Sequence, residues 1–233
     1  MNVGFIVEER IKVLNQEFDH IISLGGHCQT AYQIRRYFNI DTAYPFDWWV
    51  TPTVALVDLF ESGFANLFRE ENMKIVQEET GPAVMCSHYG IMHYHDFDEA
   101  KINGVYNPYL VRSKCNANNS KYSYLVKKLI SISGRVLFIR FSHGWAQFYD
   151  KTTMFNDYLL TRLIKSINNN ITNIEFNILL LNDYNFDYGM DGNPIEKIYT
   201  SVVNNYEEKQ WHGSNQGWDE LFSYHGIKYN KNV

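Results

Sequence analysis

The sequence lacks the features that mark several large classes of protein. It has only three cysteines, Cys28, Cys86 and Cys115, and no C-x-x-C pair, which argues against a disulfide framework and suits a reducing compartment. No apolar run approaches about 18 residues, so no membrane span is predicted. Residues 1–20 contain no apolar segment typical of a signal peptide, and we therefore expect a cytoplasmic location.

Strong charge of one sign is also absent. The chain has 21 basic and 26 acidic residues, a net charge of −5, and no Lys/Arg-rich block. This balance argues against nucleic acid as a partner. The glycine fingerprints G-x-G-x-x-G and G-x-x-x-x-G-K-[ST] do not occur either, and no cofactor is predicted. The 233 residues fit one domain, and the sequence does not define an oligomeric state.

The most informative segment that is present is an apolar run followed by Gly25, Gly26 and then Cys28. Apolar residues follow the cysteine at helical spacing, at Ala31, Ile34 and Phe38. The glycines permit a tight strand-to-helix turn. A thiol at a helix N-terminus faces unpaired N–H groups and the positive end of the helix dipole, and both favour the thiolate. The pattern predicts a nucleophilic Cys28, the alternative being a small buried hydrophobic side chain.

The rest of the chain predicts a single α/β domain, residues 1–233, with three layers and a mainly parallel sheet. Buried strands are expected at residues 19–24, 136–141 and 174–181. Helices are expected from Cys28 to Phe38, from the Thr51-Pro52 start to Gly63, from Ser120 to Gly134 and at residues 156–167. Residues 83–95 are predicted to be extended, and the polar stretch 103–119 is predicted to be a loop or excursion.

Three predicted strands are followed by side chains with useful chemistry. Cys28, His143 and Asp183 each come after a strand, and sites in open parallel sheets form at the carboxyl ends of strands. We expect these side chains to converge as nucleophile, base and orienting acid. The alternative is that His143 and Asp183 are ordinary polar loop residues.

A histidine cluster offers a second source of a base. His88, His93 and His95 lie within eight residues and are followed by Asp96. Two imidazoles on one strand face with a carboxylate can bind a metal, but the H-x-H pattern is weak evidence for one, and no metal site is assigned. The remaining interpretations are a catalytic histidine and a hydrogen-bonded structural role.

The surroundings of Cys28 suggest how a substrate is held. A helix N-terminus at Gly25-Gly26 can bind an anion, Arg140 can add positive charge, and Trp48 can form a wall beside Asp47. We assign substrate binding to Ser23, Gly25, Gly26, His27, Trp48 and Arg140.

Several motifs are shared with a known family. They are Ser23-Leu24-Gly25-Gly26-His27-Cys28 with Ala31 and Ile34-Arg35-Arg36, then Pro45-Phe46-Asp47-Trp48, Tyr89-Gly90 and His95-Asp96-Phe97. Over most of residues 19–142 the chain resembles a bacterial family of unknown function described as papain-like cysteine peptidases. The resemblance implies Cys28 as nucleophile, His95 as base and Asp47 or Asp96 as orienting acid. We prefer His95 to His143, and Asp47 to Asp96 because adjacent residues of an extended chain point to opposite faces.

The predicted function is a thiol-dependent hydrolase or acyltransferase acting on a small-molecule, peptide or saccharide substrate. The resemblance also implies a genomic setting near surface-polysaccharide clusters, which fits acyl or glycosyl transfer. The first alternative is a sugar- or nucleotide-binding transferase with phosphate at Gly25-Gly26. The others are a metal-dependent hydrolase using His93, His95 and Asp96, and a non-catalytic binding module with aromatic pockets.

Overall fold

A computed structural model describes residues 12–78, 81–142, 155–182, 196–204 and 210–231. The helices of these residues are α1 (Gln29–Phe38), α2 (Thr53–Glu61), α3 (Pro108–Ile130), α4 (Asp157–Asn170) and α5 (Asn215–Tyr224). The first strands are β1 (Glu17–Phe18), β2 (His20–Ser23), β3 (Trp49–Val50), β4 (Met73–Glu78), β5 (Gly81–Cys86) and β6 (Ile91–His93). The later strands are β7 (Lys101–Ile102), β8 (Val105–Tyr106), β9 (Gly134–Ser142), β10 (Ile174–Asn182), β11 (Ile198–Val202) and β12 (Lys228–Tyr229).

A parallel sheet in the order β11-β10-β9-β2 forms the centre of the fold. Strand β9 pairs with both neighbours, and its residues 136–139 and 141 are completely buried. Such continuous apolar strands require cover on both faces of the sheet. The predicted parallel α/β architecture is therefore confirmed, and the observed strand bounds lie within two residues of those predicted.

Alternate side chains of β9 pack into two separate cores, which makes the fold three-layered. Val136 and Phe138 join the core formed with α2, α3 and α4. Leu137, Ile139 and Phe141 join the core formed with α1 and α5 on the other face. Side chains alternate across a strand, so this division follows directly from the strand geometry.

A second sheet, antiparallel and in the order β3-β6-β5-β4, lies outside the parallel one. The prediction of one extended segment at 83–95 is wrong, because these residues form the two central strands, β5 and β6, and the turn between them. Residues 87–90 turn the chain back, with Gly90 at a φ of +71°, and β6 then pairs with β5. The mixed polarity of this segment reflects a hairpin and not a single strand.

Helix α3 corrects a larger part of the prediction. Most of the stretch 103–119, predicted to be a loop, is helical, and the helix begins at Pro108 and not at Ser120. The Asn107 side chain accepts hydrogen bonds from the N–H groups of Tyr109 and Leu110, and proline is well suited to the first helical position. The buried side chains follow helical spacing: Val111, Cys115, Asn118, Tyr122, Leu125 and Leu129. Polar residues on the exposed face obscure this stripe. The assignment of the whole chain to one domain stays a prediction.

Candidate functional site

The turn between β2 and α1 is built around two glycines with left-handed backbone conformations. Gly25 has φ of +73° and Gly26 has φ of +86°, values that L side chains rarely adopt. A Cβ atom on Gly26 would overlap the carbonyl oxygen of Phe141 in the neighbouring strand. The turn therefore needs glycine both for its conformation and for its close approach to β9.

Buried polar groups hold this turn from within the protein. The Ser23 hydroxyl accepts the N–H of Gly25 at 3.1 Å. Arg140 is buried and donates to the carbonyl oxygens of Leu24 at 3.1 Å and Thr51 at 2.6 Å. Arg140 thus joins the end of β2 to the start of α2. Ser23, Arg140 and the glycines, all predicted to bind substrate, serve as structural elements of the turn in these contacts. The adjacent carbonyl oxygen would repel a phosphate at Gly26.

Cys28 stands at the N-cap of α1 with a helical backbone conformation and a partly buried side chain. Burial raises the pKa of its thiol to about 11, although the backbone N–H groups of Cys28 and Gln29 favour the thiolate. The sequence-based expectation of a lowered pKa is therefore wrong for the resting protein, because the cost of desolvating the charge outweighs the helix terminus. Nucleophilic attack by Cys28 requires a base that removes its proton.

His27 provides an imidazole nitrogen beside the thiol. Its Nδ1 atom lies 3.8 Å from the Sγ atom of Cys28 and accepts the N–H of Gln29 at 3.3 Å. The side chain is buried. Protonating Nδ1 would break the bond to Gln29 and place a cation at the positive end of a helix dipole. His27 can therefore orient the thiol, but it is poorly suited to holding the proton that the Cys28 thiol loses.

His95 contacts Trp48 and Asp98 in the part of the chain that the structure describes. Its ring meets the Trp48 ring at 5.6 Å between centroids, and its Nδ1 atom is 3.8 Å from an Asp98 carboxylate oxygen. Trp48 lies 5.4 Å from the guanidinium of Arg35, which is seven residues after Cys28 on α1 and so about 10 Å along the helix. These contacts do not join His95 to Cys28, and that pairing stays a prediction.

Asp47 is buried and paired with a cation. Its carboxylate accepts from Arg35 at 2.6 Å and from the N–H of Tyr44 at 2.9 Å. Burial raises the pKa of Asp47, and Arg35 and the Tyr44 N–H oppose that rise. No histidine in the described ranges contacts this carboxylate. The observed role of Asp47 is to tie the aromatic loop to α1.

Asp96 is the centre of a buried hydrogen-bonded network. Its side chain accepts from His93 Nδ1 at 3.0 Å, Trp49 Nε1 at 2.8 Å, the Tyr122 hydroxyl at 2.6 Å and Lys121 Nζ at 3.2 Å. We call these five residues the Asp96 hub. Burial opposes ionisation, but the bonds from His93 and Tyr122 together with Lys121 lower the pKa of Asp96 to about 2. Asp96 therefore pairs with His93 and not with His95.

The hub does not have the arrangement of a metal centre. His93 is completely buried among aromatic rings, whereas His95 is exposed and faces Asp98. Within the described ranges, no three His, Cys, Asp or Glu side chains are grouped so that they could hold a metal ion. None of the described helices has the length and apolar character needed to cross a bilayer.

His143 and Asp183 lie outside the described residues. The residues just before them, Ser142 and Asn182, are register partners on β9 and β10. On the other side of β9, Ser23 of β2 pairs with Ile139. The strands that precede Cys28, His143 and Asp183 are therefore parallel neighbours with their carboxyl ends at one edge, as predicted.

The sequence-based assignment missed an aromatic group on α1. Tyr32, one turn after Cys28, stacks on His212 with ring centroids 5.1 Å apart and meets the edge of Trp211 at 5.3 Å. Trp211 is about half exposed. The available signal was Ser214, which caps α5: its position indicates that the Trp-His pair lies in a loop before a helix.

A family model covers residues 19–185 of the chain, more than half of its length. The family is described as "Putative papain-like cysteine peptidase (DUF1796)". The chain belongs to this family. No curated protein and no solved structure matches it.

Membership of the papain-like cysteine peptidase family supports a cysteine-peptidase-like function in general. The matched residues include Cys28, the candidate bases His95 and His143, and the candidate orienting acids Asp47, Asp96 and Asp183. The loop that carries Trp211 and His212 lies beyond them. Contacts of that loop with α1 are therefore features of this chain that the family model does not describe.

Proposed function

We propose that the protein is a thiol-dependent hydrolase or acyltransferase in which Cys28 attacks a carbonyl carbon. The observation that carries this proposal is the position of the thiol, at a strand–turn–helix junction beyond the carboxyl end of a parallel strand. Such a turn presents a nucleophile above the sheet with backbone N–H groups beside it. Family membership supports the same chemistry.

The substrate chemistry of this proposal is an acyl group in ester, thioester or amide linkage. Attack forms a thioester between the acyl carbon and Sγ of Cys28 and expels the alcohol, thiol or amine. The N–H group of Cys28, which favours a negative sulfur, also favours a negative oxygen next to it. Water or a second acceptor then removes the acyl group.

The transferase alternative receives less support from the described contacts. Its phosphate would have to bind at Gly25-Gly26, where both residues are buried. The carbonyl oxygen of Phe141 and the side chain of Thr51 lie against this turn. A thiol mechanism uses the same turn without displacing either group.

A covalent trapping experiment tests the proposal. An activated aryl ester should give a burst of alcohol product, and mass spectrometry should find the acyl group on Cys28. Cys28→Ala should lower turnover by roughly 1000-fold or more, because the nucleophile is lost. Its melting temperature should stay within a few degrees of the wild-type value, since the side chain is only partly buried.

Cys115→Ala is the matched control, since Cys115 is a buried thiol in α3 that hydrogen-bonds to its own helix. It should keep full turnover even if it is less stable. Iodoacetamide should also label Cys28 faster than Cys86 and Cys115 below pH 8. Turnover that survives in Cys28→Ala, or a Cys28→Ala variant that no longer folds, would reject the proposal and leave Cys28 as a packing residue.

A further inference from the structure

The loop before α5 packs against the helix that carries the candidate nucleophile. The His212 ring lies on the Tyr32 ring at an interplanar angle of 28°, and Trp211 meets both rings edge-on. His212 is half-buried and Trp211 is exposed. This arrangement places an imidazole on the surface of α1.

Tyr32 connects that imidazole to the helical turn of Cys28. The N–H of Tyr32 donates to the carbonyl oxygen of Cys28 at 3.2 Å, so the two residues are four apart in one regular helical turn. Side chains at this spacing are surface neighbours, about 6 Å apart at Cβ. A helical side chain also leans toward the N-terminus and covers the preceding turn. The ring on which His212 stacks therefore covers the turn that begins at Cys28.

The loop is held to α1 by a buried glutamine. Gln33 Nε2 donates to the carbonyl oxygen of His212 at 2.6 Å and to Asn215 Oδ1 at 3.0 Å. Arg36 donates to the carbonyl oxygen of Asn215 at 3.2 Å and forms an ion pair with Asp219. The His212 backbone is thus fixed to the same helix as the thiol, through contacts other than the ring stack.

The tautomer of His212 suits it to accept a proton. Its Nδ1 atom lies 2.9 Å from the carbonyl oxygen of Gly213. A carbonyl oxygen only accepts hydrogen bonds, so Nδ1 must carry the proton and the lone pair is on Nε2. His27, in contrast, already uses its Nδ1 lone pair for the N–H of Gln29. Of these two imidazoles, His212 has the arrangement expected of a base that is oriented through its other nitrogen.

We infer that His212 is the general base for Cys28, with Gln33 as its positioning residue, an inference that rests on the proposed thiol chemistry. The Sγ proton moves to Nε2 of His212 through one water molecule, and sulfur forms a bond to the substrate acyl carbon. The bond from that carbon to the leaving group breaks, and the leaving group takes the proton from Nε2. Water then attacks the thioester carbon and gives one proton to Nε2. The carbon–sulfur bond breaks, the acid leaves, and Nε2 returns its proton to Sγ of Cys28.

Replacing the imidazole while keeping the ring stack tests this assignment. His212→Phe preserves an aromatic face against Tyr32 and removes the base, and His212→Gln serves as a second variant of different shape. Each should lower the rate of Cys28 alkylation by iodoacetamide at pH 7.5 by roughly 100-fold, the usual contribution of a general base. The lost rate should return as pH rises toward the thiol pKa of about 11. His88→Gln, an exposed histidine on the β5–β6 turn, is the matched control and should react like the wild type.

Gln33→Leu adds a test of the positioning role. It should slow alkylation at pH 7.5 without removing the imidazole, and its rate should recover at a lower pH than that of His212→Phe. Wild-type alkylation that is no faster at Cys28 than at Cys115 would reject the proposed function itself. Fast alkylation of Cys28 that is unchanged in folded His212→Phe and His212→Gln would reject His212 alone and leave the thiol chemistry standing.

Discussion

Among the described residues, His93 and His27 each place an imidazole beside another reactive side chain, and the surroundings of the two differ. His93 is bonded to Asp96 at 3.0 Å, both side chains are excluded from solvent, and the carboxylate accepts three further donors. His27 is 3.8 Å from a thiol that is partly exposed and protonated at rest. The pair that has the residue types of a catalytic dyad is the one that is locked in the interior. The thiol beside His27 is partly exposed to solvent.

This contrast shows how little residue type alone says about role. A His-Asp pair contributes to catalysis only if the free imidazole nitrogen faces a reacting atom. Nε2 of His93 has no hydrogen-bond partner among the described residues and is enclosed by the rings of Trp49, Phe68 and Phe97. The Asp96 hub therefore joins α3 to the antiparallel sheet, and we expect its loss to affect stability and not chemistry.

Removal of the Asp96 carboxylate should have the largest effect, and it tests whether the His93–Asp96 pair is structural. Asp96→Ala leaves several buried donors unpaired and should lower the free energy of unfolding by about 3–5 kcal/mol. Asp98→Ala, two residues away, removes a half-exposed carboxylate that contacts His95 and Lys101, and should change it by less than about 0.5 kcal/mol. Urea denaturation of both variants measures the difference. Equal free energies of unfolding for Asp96→Ala and Asp98→Ala would contradict a structural role of the Asp96 hub.

A third buried histidine, His225, tests how burial without a hydrogen-bond partner changes the pKa of an imidazole. His225 is fully buried, neither of its ring nitrogens is hydrogen-bonded within the described residues, and burial lowers its pKa to about 4. The unfolded chain, with a histidine pKa of about 6.5, binds this proton first, so stability falls as pH drops from about 6.5 toward 4.

Between pH 7.5 and 4.5 His225 should cost the wild type about 2.5 kcal/mol of unfolding free energy. His225→Leu should remove this part of the acid sensitivity, whereas His88→Leu should not, because His88 is exposed. Urea denaturation at pH 7.5 and at pH 4.5 gives the change in unfolding free energy for each variant. A wild type and a His225→Leu variant with the same pH dependence would show that the pKa of His225 is the same in the folded and the unfolded chain.

The smallest of these effects separates conformation from close packing in the glycine turn. Gly26→Ala meets both a left-handed φ and the carbonyl oxygen of Phe141, whereas Gly63→Ala, at φ of +63°, meets nothing within 4 Å. Gly63→Ala should cost about 1 kcal/mol from backbone strain alone. Gly26→Ala should cost about 2 kcal/mol more and lower the reactivity of Cys28. Thermal unfolding measures both costs. Equal destabilisation of Gly26→Ala and Gly63→Ala would show that the close approach of residue 26 to β9 is unimportant.

The sequence predicted those parts of the fold that depend on local pattern. Buried strands such as β9 and β10 are long apolar runs, and a glycine pair before a cysteine marks a tight turn. The first half of helix α3 was missed because its buried stripe, which includes Cys115 and Asn118, is interrupted by lysines and asparagines that face solvent. Polar composition resembled a loop, and only packing against the antiparallel sheet distinguishes the two.

The candidate site was less predictable because its decisive contacts are far apart in sequence. The pKa of Cys28 depends on how much protein surrounds the sulfur, and no local motif reports that. The bond between Asp96 and His93 joins residues three apart in sequence, but the bonds of Asp96 to Trp49 and Tyr122 depend on tertiary structure. His212 comes 184 positions after Cys28 in the chain, and only the packing of its loop on Tyr32 relates the two.

One ten-residue helix holds three parts of the candidate site. Cys28 caps α1, Arg35 of the same helix holds Asp47, and Gln33 holds the loop of His212. Because all three are attached to α1, a movement of this helix would move Cys28, Asp47 and the loop of His212 together.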